Sequence, residues 1–245
     1  MALKRLLSFL FGTLIVLSLP LSAWGSAESA NDFENRLSAF RKDMIAACAQ
    51  FQAGAPRESK EQFDRELIAL QAAWASLAAA YRGAPPAAYA KDAKWPTYFG
   101  SVAENLAAMR VAVSDNRYNK AFEICGSTCA LFVAMHESNG ISTVCDKLFE
   151  FRKQAKLMLA QIKSGHADAA ACRLPSLLAQ RDAVVLSPIP EKAASDPTRY
   201  RELVAGFSSA ADRFAIALTN DGADAALARY AELMEAFTAL YNRYI

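Results

Sequence analysis

Apolar residues along this chain recur at intervals of three and four rather than two, the period of helices that bury one face. Ala and Leu dominate, and β-branched runs are scarce. The pattern predicts an all-α protein. Breakers interrupt it at "GAPRES" (54–59), "RGAPPAAYAKDAKWP" (82–96), "SDNRYN" (114–119), "SNGIS" (138–142), "KSGHAD" (163–168), "LSPIPEKAASDPT" (186–198) and "TNDGAD" (219–224). Seven breaks leave eight helices.

The connections come in a repeating order: short, long and Pro-rich, short, and then the same again. Residues repeat with them. "FRK" at Phe40 returns at Phe151, and "AVSDNRYNKAFEICGSTCALFVAMHE" from Ala112 lies without a gap on "ALTNDGADAALARYAELMEAFTALYN" from Ala217. Ala112 and Ala217, Ala121 and Ala226, Phe132 and Phe237, and Ala134 and Ala239 coincide. A period this long points to tandem domains rather than a solenoid. Each unit is large enough for an up-down-up-down four-helix bundle, one over residues 26–140 and a degenerate copy over 141–245.

Ahead of them, Lys4 and Arg5 precede a mostly apolar run from Leu6 to Leu19, followed by small residues at Ala23 and Gly25. This is the layout of a secretory signal peptide over residues 1–25, and it predicts a periplasmic protein. The run is too short for a stable anchor, and nothing later approaches ~18 consecutive apolar residues, so no membrane insertion is expected after cleavage. Removing Lys4 and Arg5 from the 27 basic residues leaves 25 against 25 acids. A balance near zero argues against nucleic acid, whose phosphates require clustered Lys and Arg. The five cysteines would sit where disulfides persist, and their odd number leaves at least one unpaired within the monomer.

Enzyme signatures are missing: there is no Gly-rich phosphate loop, nucleophile elbow, paired-His metalloprotease motif or C-x-x-C-H. No carboxylate pair stands out, and the acids read as solvated helix faces. A non-enzymatic protein is expected.

Chemistry concentrates in "CGSTCALFVAMHESNG" (125–140), where Cys125, Cys129, Phe132 and His136 share one helical stripe. The second unit has Tyr230, Met234, Phe237 and Tyr241 in those places, so the stripe faces a core. Leu37, Arg41, Met44 and Cys48 form a matching stripe on the first helix. With a rise of ~1.5 Å per residue and antiparallel neighbours, setting Leu37 level with His136 sets Cys48 level with Cys125 and Met44 level with Cys129. Three readings stay open for these sulfurs: plain packing, a disulfide from Cys48 to Cys125 or Cys129, and a soft-donor Cu(I) pocket of Cys48, Cys125, Cys129 and Met44. Cys145 and Cys172 fall on different levels and default to free thiols. His166 lies in a polar turn and is expected to be solvated.

"SDNRYNKAFEICGSTCALFVAMHESN", behind a Pro-Pro loop, resembles the last helical hairpin of cytochrome b562, and "DFENRLSAFRKDM" resembles that family's first helix. The resemblance covers most of residues 30–139 and, more faintly, 146–245. It implies a periplasmic bundle carrying non-covalent haem b for electron transfer, with His136 as one axial ligand and an unidentified redox or protein partner. The family's methionine ligand is replaced by Leu37. In the second unit the two places hold Leu148 and Tyr241, so that unit resembles the fold without the haem. The other outcomes are the copper protein and a haem-free structural or interaction module.

Overall fold

The computed structural model describes residues 22–51 and 60–244, with side chains described from residue 31 onward. Nearly all of residues 1–25, the segment expected to be a signal peptide, therefore lies outside the described residues. What is described is all-helical, with no strand. The helices are α1 (Ser22–Ala49), α2 (Lys60–Tyr81), α3 (Trp95–Ser114), α4 (Tyr118–Ser138), α5 (Val144–Lys163), α6 (Ala167–Ala171), α7 (Leu174–Val185), α8 (Pro197–Ile216) and α9 (Ala223–Tyr244). No helix among the described residues is long and apolar enough to cross a membrane.

Local chemistry explains the boundaries. Pro stands in the first turn of α3, α7 and α8, where its missing N–H costs nothing. The sequence pattern predicts one helix across 169–185, but the structure breaks it into α6 and α7. Pro175 is the reason, because its ring would clash with the carbonyl four residues earlier in a continuous helix. Both Pro-rich connections contain a 3₁₀ turn, Ala87–Tyr89 and Glu191–Ala193. Each closes on a proline carbonyl, with the Tyr89 N–H donating to Pro86 and the Ala193 N–H to Pro190, both at 2.8 Å. The two Pro-rich connections therefore share a loop conformation.

Within the first run, α1 packs on α2 and α4, α2 on α3, and α3 on α4. Within the second, α5 packs on α7 and α9, α7 on α8, and α8 on α9. Each run encloses its own apolar cluster, one from Phe33 to Met135 and one from Val144 to Tyr244. Ile45 of α1 packs against both clusters, and Phe149 of α5 packs against the first. The two halves therefore meet along α1, α4 and α5.

Candidate functional site

Gly140 takes a positive φ of 68° as the chain reverses out of α4, and Thr143 then caps α5. The Asp146 backbone N–H donates to Thr143 Oγ1, and the Thr143 N–H donates back to Asp146 Oδ2, both at 3.2 Å. This reciprocal cap satisfies two donors that a helix start leaves unpaired. It also fixes Asp146 against the end of α4.

There the carboxylate meets two cations. Arg41 Nη1 donates to Asp146 Oδ1 at 2.8 Å, and His136 Nδ1 lies 2.6 Å from Asp146 Oδ2. Arg41, His136 and Asp146 are 2%, 1% and 5% exposed. His136 Nε2 lies 3.3 Å from Glu34 Oε2, close enough for an ion pair, though the two are not aligned as a hydrogen bond. Tyr89 Oη donates to the other oxygen of Glu34. One polar chain, buried from Arg41 through Asp146 to His136 and continued by the half-buried Glu34 to Tyr89, thus ties α1, α4 and the first long loop to α5 of the second half. Beside it opens a cavity of about 300 Å³ lined by Arg41, His136, Cys145, Pro188 and Lys192.

Burial by itself would depress the His136 pKa, but the hydrogen bond to Asp146 and the charge of Glu34 outweigh it and raise it to about 9. Burial would raise Asp146, yet the His136 hydrogen bond and the Arg41 charge hold it below the usual carboxylate range. His136 is therefore an imidazolium at neutral pH. A pKa raised above the ordinary 6.5 contributes stability that is complete below pH 6.5 and is lost as pH climbs toward 9. A depressed Asp146 contributes stability that is present above 3.8 and lost as pH falls below it. We expect the unfolding free energy from urea denaturation to be nearly level from about pH 4 to 6.5 and to have fallen by about 2 kcal/mol by pH 8. The measurement stops at 8 because Lys156, which burial and Arg152 lower to about 8, acts in the opposite sense above it. An unfolding free energy unchanged from pH 6.5 to 8 would mean that His136 is uncharged.

These residues do not fit a haem. Iron needs a neutral imidazole with a free nitrogen, whereas the Nδ1 of His136 is bound to Asp146 and its Nε2 faces Glu34. Leu37, at the methionine place, is buried in the first cluster. That end of the cluster is filled by Phe33, whose ring centroid lies 5.1–5.3 Å from those of Tyr81, Tyr89 and Trp95. Leu148 and Tyr241, at the corresponding places of the second half, are buried core residues.

The sulfurs are arranged differently from a copper pocket. Cys48 and Cys125 form a disulfide with Cα atoms 6.3 Å apart. Two of the four proposed donors are therefore not thiolates. Met44 is fully buried in the first cluster, and burial pushes the Cys129 thiol up to about 11, which keeps it protonated. Among the described residues no group of three or more His, Cys, Asp or Glu is placed to hold a metal ion. Cys145 is a buried free thiol and Cys172 an exposed one, while His166 is exposed with Nδ1 3.1 Å from Ser164 Oγ.

The buried carboxylate corrects the expectation that all acids are solvated. Asp146 had one legible signal, the T-x-x-D spacing of Thr143 and Asp146 ahead of an apolar run, which marks a capping box. Glu34 had none, since its partner comes from a helix about a hundred residues away. No family model matches the chain, and no curated protein or solved structure matches it either.

Proposed function

We propose that the chain is a non-enzymatic, exported binding or interaction module: a tandem of two four-helix bundles, cytochrome b562-like in architecture, that works without haem. The observation that carries this reading is the use made of His136. The residue that the resemblance assigns to iron serves as a buried cation between Asp146 and Glu34, and so joins one half of the chain to the other. A catalytic role for the His–Asp pair lacks its third member. The hydroxyl beside it, Thr143, is bound to the same Asp146 oxygen at 2.7 Å and has no imidazole nitrogen to take its proton.

Titration of the purified protein with hemin tests the reading. The expected outcome is no stoichiometric Soret band beyond that of a non-binding control protein. A saturable band at one equivalent would overturn it and return His136 to the role of ligand.

A further inference from the structure

Away from the ion cluster, α4 and α5 touch only sparsely and leave a groove of about 630 Å³ between them. Its volume lies within the range of small-molecule sites. Small residues on α4 make the space. Gly126 and Ala130 line it, and a Cβ built at Gly126 meets no atom within 4 Å. The floor is apolar: Ile45 from α1, Phe122 from α4, Phe149 and Leu157 from α5, and the Cys48–Cys125 disulfide.

Two cations on one face of α5 overlook this floor. Arg152 and Lys156 are spaced i, i+4, and neither has a salt bridge to a carboxylate among the described residues. The Arg152 Nε is buried without a hydrogen-bond partner. Lys156 Nζ rests over the Phe122 ring, 4.2 Å from its centroid. The other charged side chains of the groove are neutralised, Lys153 by Glu150 and Glu123 by Lys120, each at 3.2 Å. Two neighbouring, partly desolvated cations without a counter-ion are unfavourable unless an anion joins them. The repeat sharpens the contrast. Arg152 occupies the "FRK" position that Arg41 occupies in the first half, and Arg41 has its buried acid whereas Arg152 has no salt bridge among the described residues.

We propose that the groove between α4 and α5 binds a single-chain anionic amphiphile, a long-chain carboxylate, with its head on Arg152 and Lys156 and its chain along Ile45, Phe122, Phe149 and Leu157. The two cations lie one helical turn apart on α5 and line the same groove, which suits one compact head group. An acidic peptide lying along the groove would need them spread over its length. The proposal deepens the binding-module reading and rests on it by naming the cargo.

Titration calorimetry of the full chain with dodecanoate, kept below its micellar concentration, tests this. One equivalent is expected to bind. Dodecanol, which keeps the chain and lacks the charge, is expected to bind at least tenfold more weakly. The Arg152→Gln, Lys156→Gln pair is expected to lose at least tenfold. Gly126→Leu places a side chain in the groove, where a better helix former replaces Gly, and is expected to abolish binding with no fall in melting temperature. No dodecanoate binding, equal affinity for dodecanol, or unchanged affinity in either variant would overturn the proposal, as would binding of an acidic amphipathic peptide in place of dodecanoate. A hemin Soret band alongside intact dodecanoate binding would count against the haem-free reading alone. Absence of both would count against the amphiphile alone.

Discussion

Asp146→Ala is expected to destabilise the protein by about 3–5 kcal/mol, the usual cost of leaving a buried charge without its partner. The substitution strands two cations at once. Arg41 and His136 are almost wholly enclosed, and the Nε of Arg41 already lacks a hydrogen-bond partner. It also removes the acceptor for the Thr143 N–H at the start of α5. Urea denaturation at pH 7 measures the loss. The triple variant Arg41→Met, His136→Leu, Asp146→Leu provides the control. Buried ion clusters can often be exchanged for apolar side chains at little net cost, so the triple variant should recover most of what Asp146→Ala loses. A loss under about 1 kcal/mol for Asp146→Ala would place these charges in water, because exposed pairs are worth no more than that.

The second large effect belongs to the disulfide. Cys48 and Cys125 are separated by 77 positions. Closing a loop of that size removes chain entropy from the unfolded state worth about 4.5 kcal/mol, and removal of native disulfides costs about 2–5 kcal/mol. Cys48→Ala with Cys125→Ala should therefore lower the unfolding free energy by that amount, and dithiothreitol should do the same to the parent protein. Cys129→Ala is the comparison. It trims one buried sulfur and leaves the bridge in place, so its loss should be much smaller than that of the double variant. Peptide mapping without reductant should recover Cys48 linked to Cys125. A parent protein equally stable with and without reductant, or a map linking Cys48 to Cys129, would contradict the structure.

These two restraints act at different places. The disulfide ties the C-terminal end of α1 to α4 inside the first half, whereas Asp146 ties α1 and α4 to α5 across the halves. Loss of the bridge should weaken the first half itself, and loss of Asp146 the join between the two.

Much of the architecture was readable from local pattern. Periodicity of three and four yields helices because each must bury one stripe, and the breakers stop them where Pro or Gly cannot continue. The one missed break, between α6 and α7, fell at Pro175, inside a segment whose composition otherwise suits a helix. Level counting along antiparallel helices set Cys48 opposite Cys125, because helix rise is nearly constant. Met44 and Cys129 came from the same counting and lie in the same apolar cluster, but neither shares in that bridge.

The chemistry of His136 was not readable in this way. A histidine near a helix end looks alike whether it will bind iron, face solvent or hold a proton between two acids. What decides among these is the set of groups the fold brings to its two nitrogens. Asp146 arrives from the next helix and Glu34 from the first. Arg152 and Lys156 present the converse case: two ordinary surface-type cations in sequence, left by the packing without a salt bridge among the described residues.

The sequence by itself determined the helical class, the repeated order of connections and the stripes that face inward, since these follow from side-chain periodicity and turn chemistry within a few residues. Only the tertiary structure decided that the histidine is a buried imidazolium, that Cys125 is the partner of Cys48, and that α4 and α5 part to leave a cationic, apolar groove. Those properties depend on which distant groups share a small, weakly solvated volume, and no local pattern carries that information.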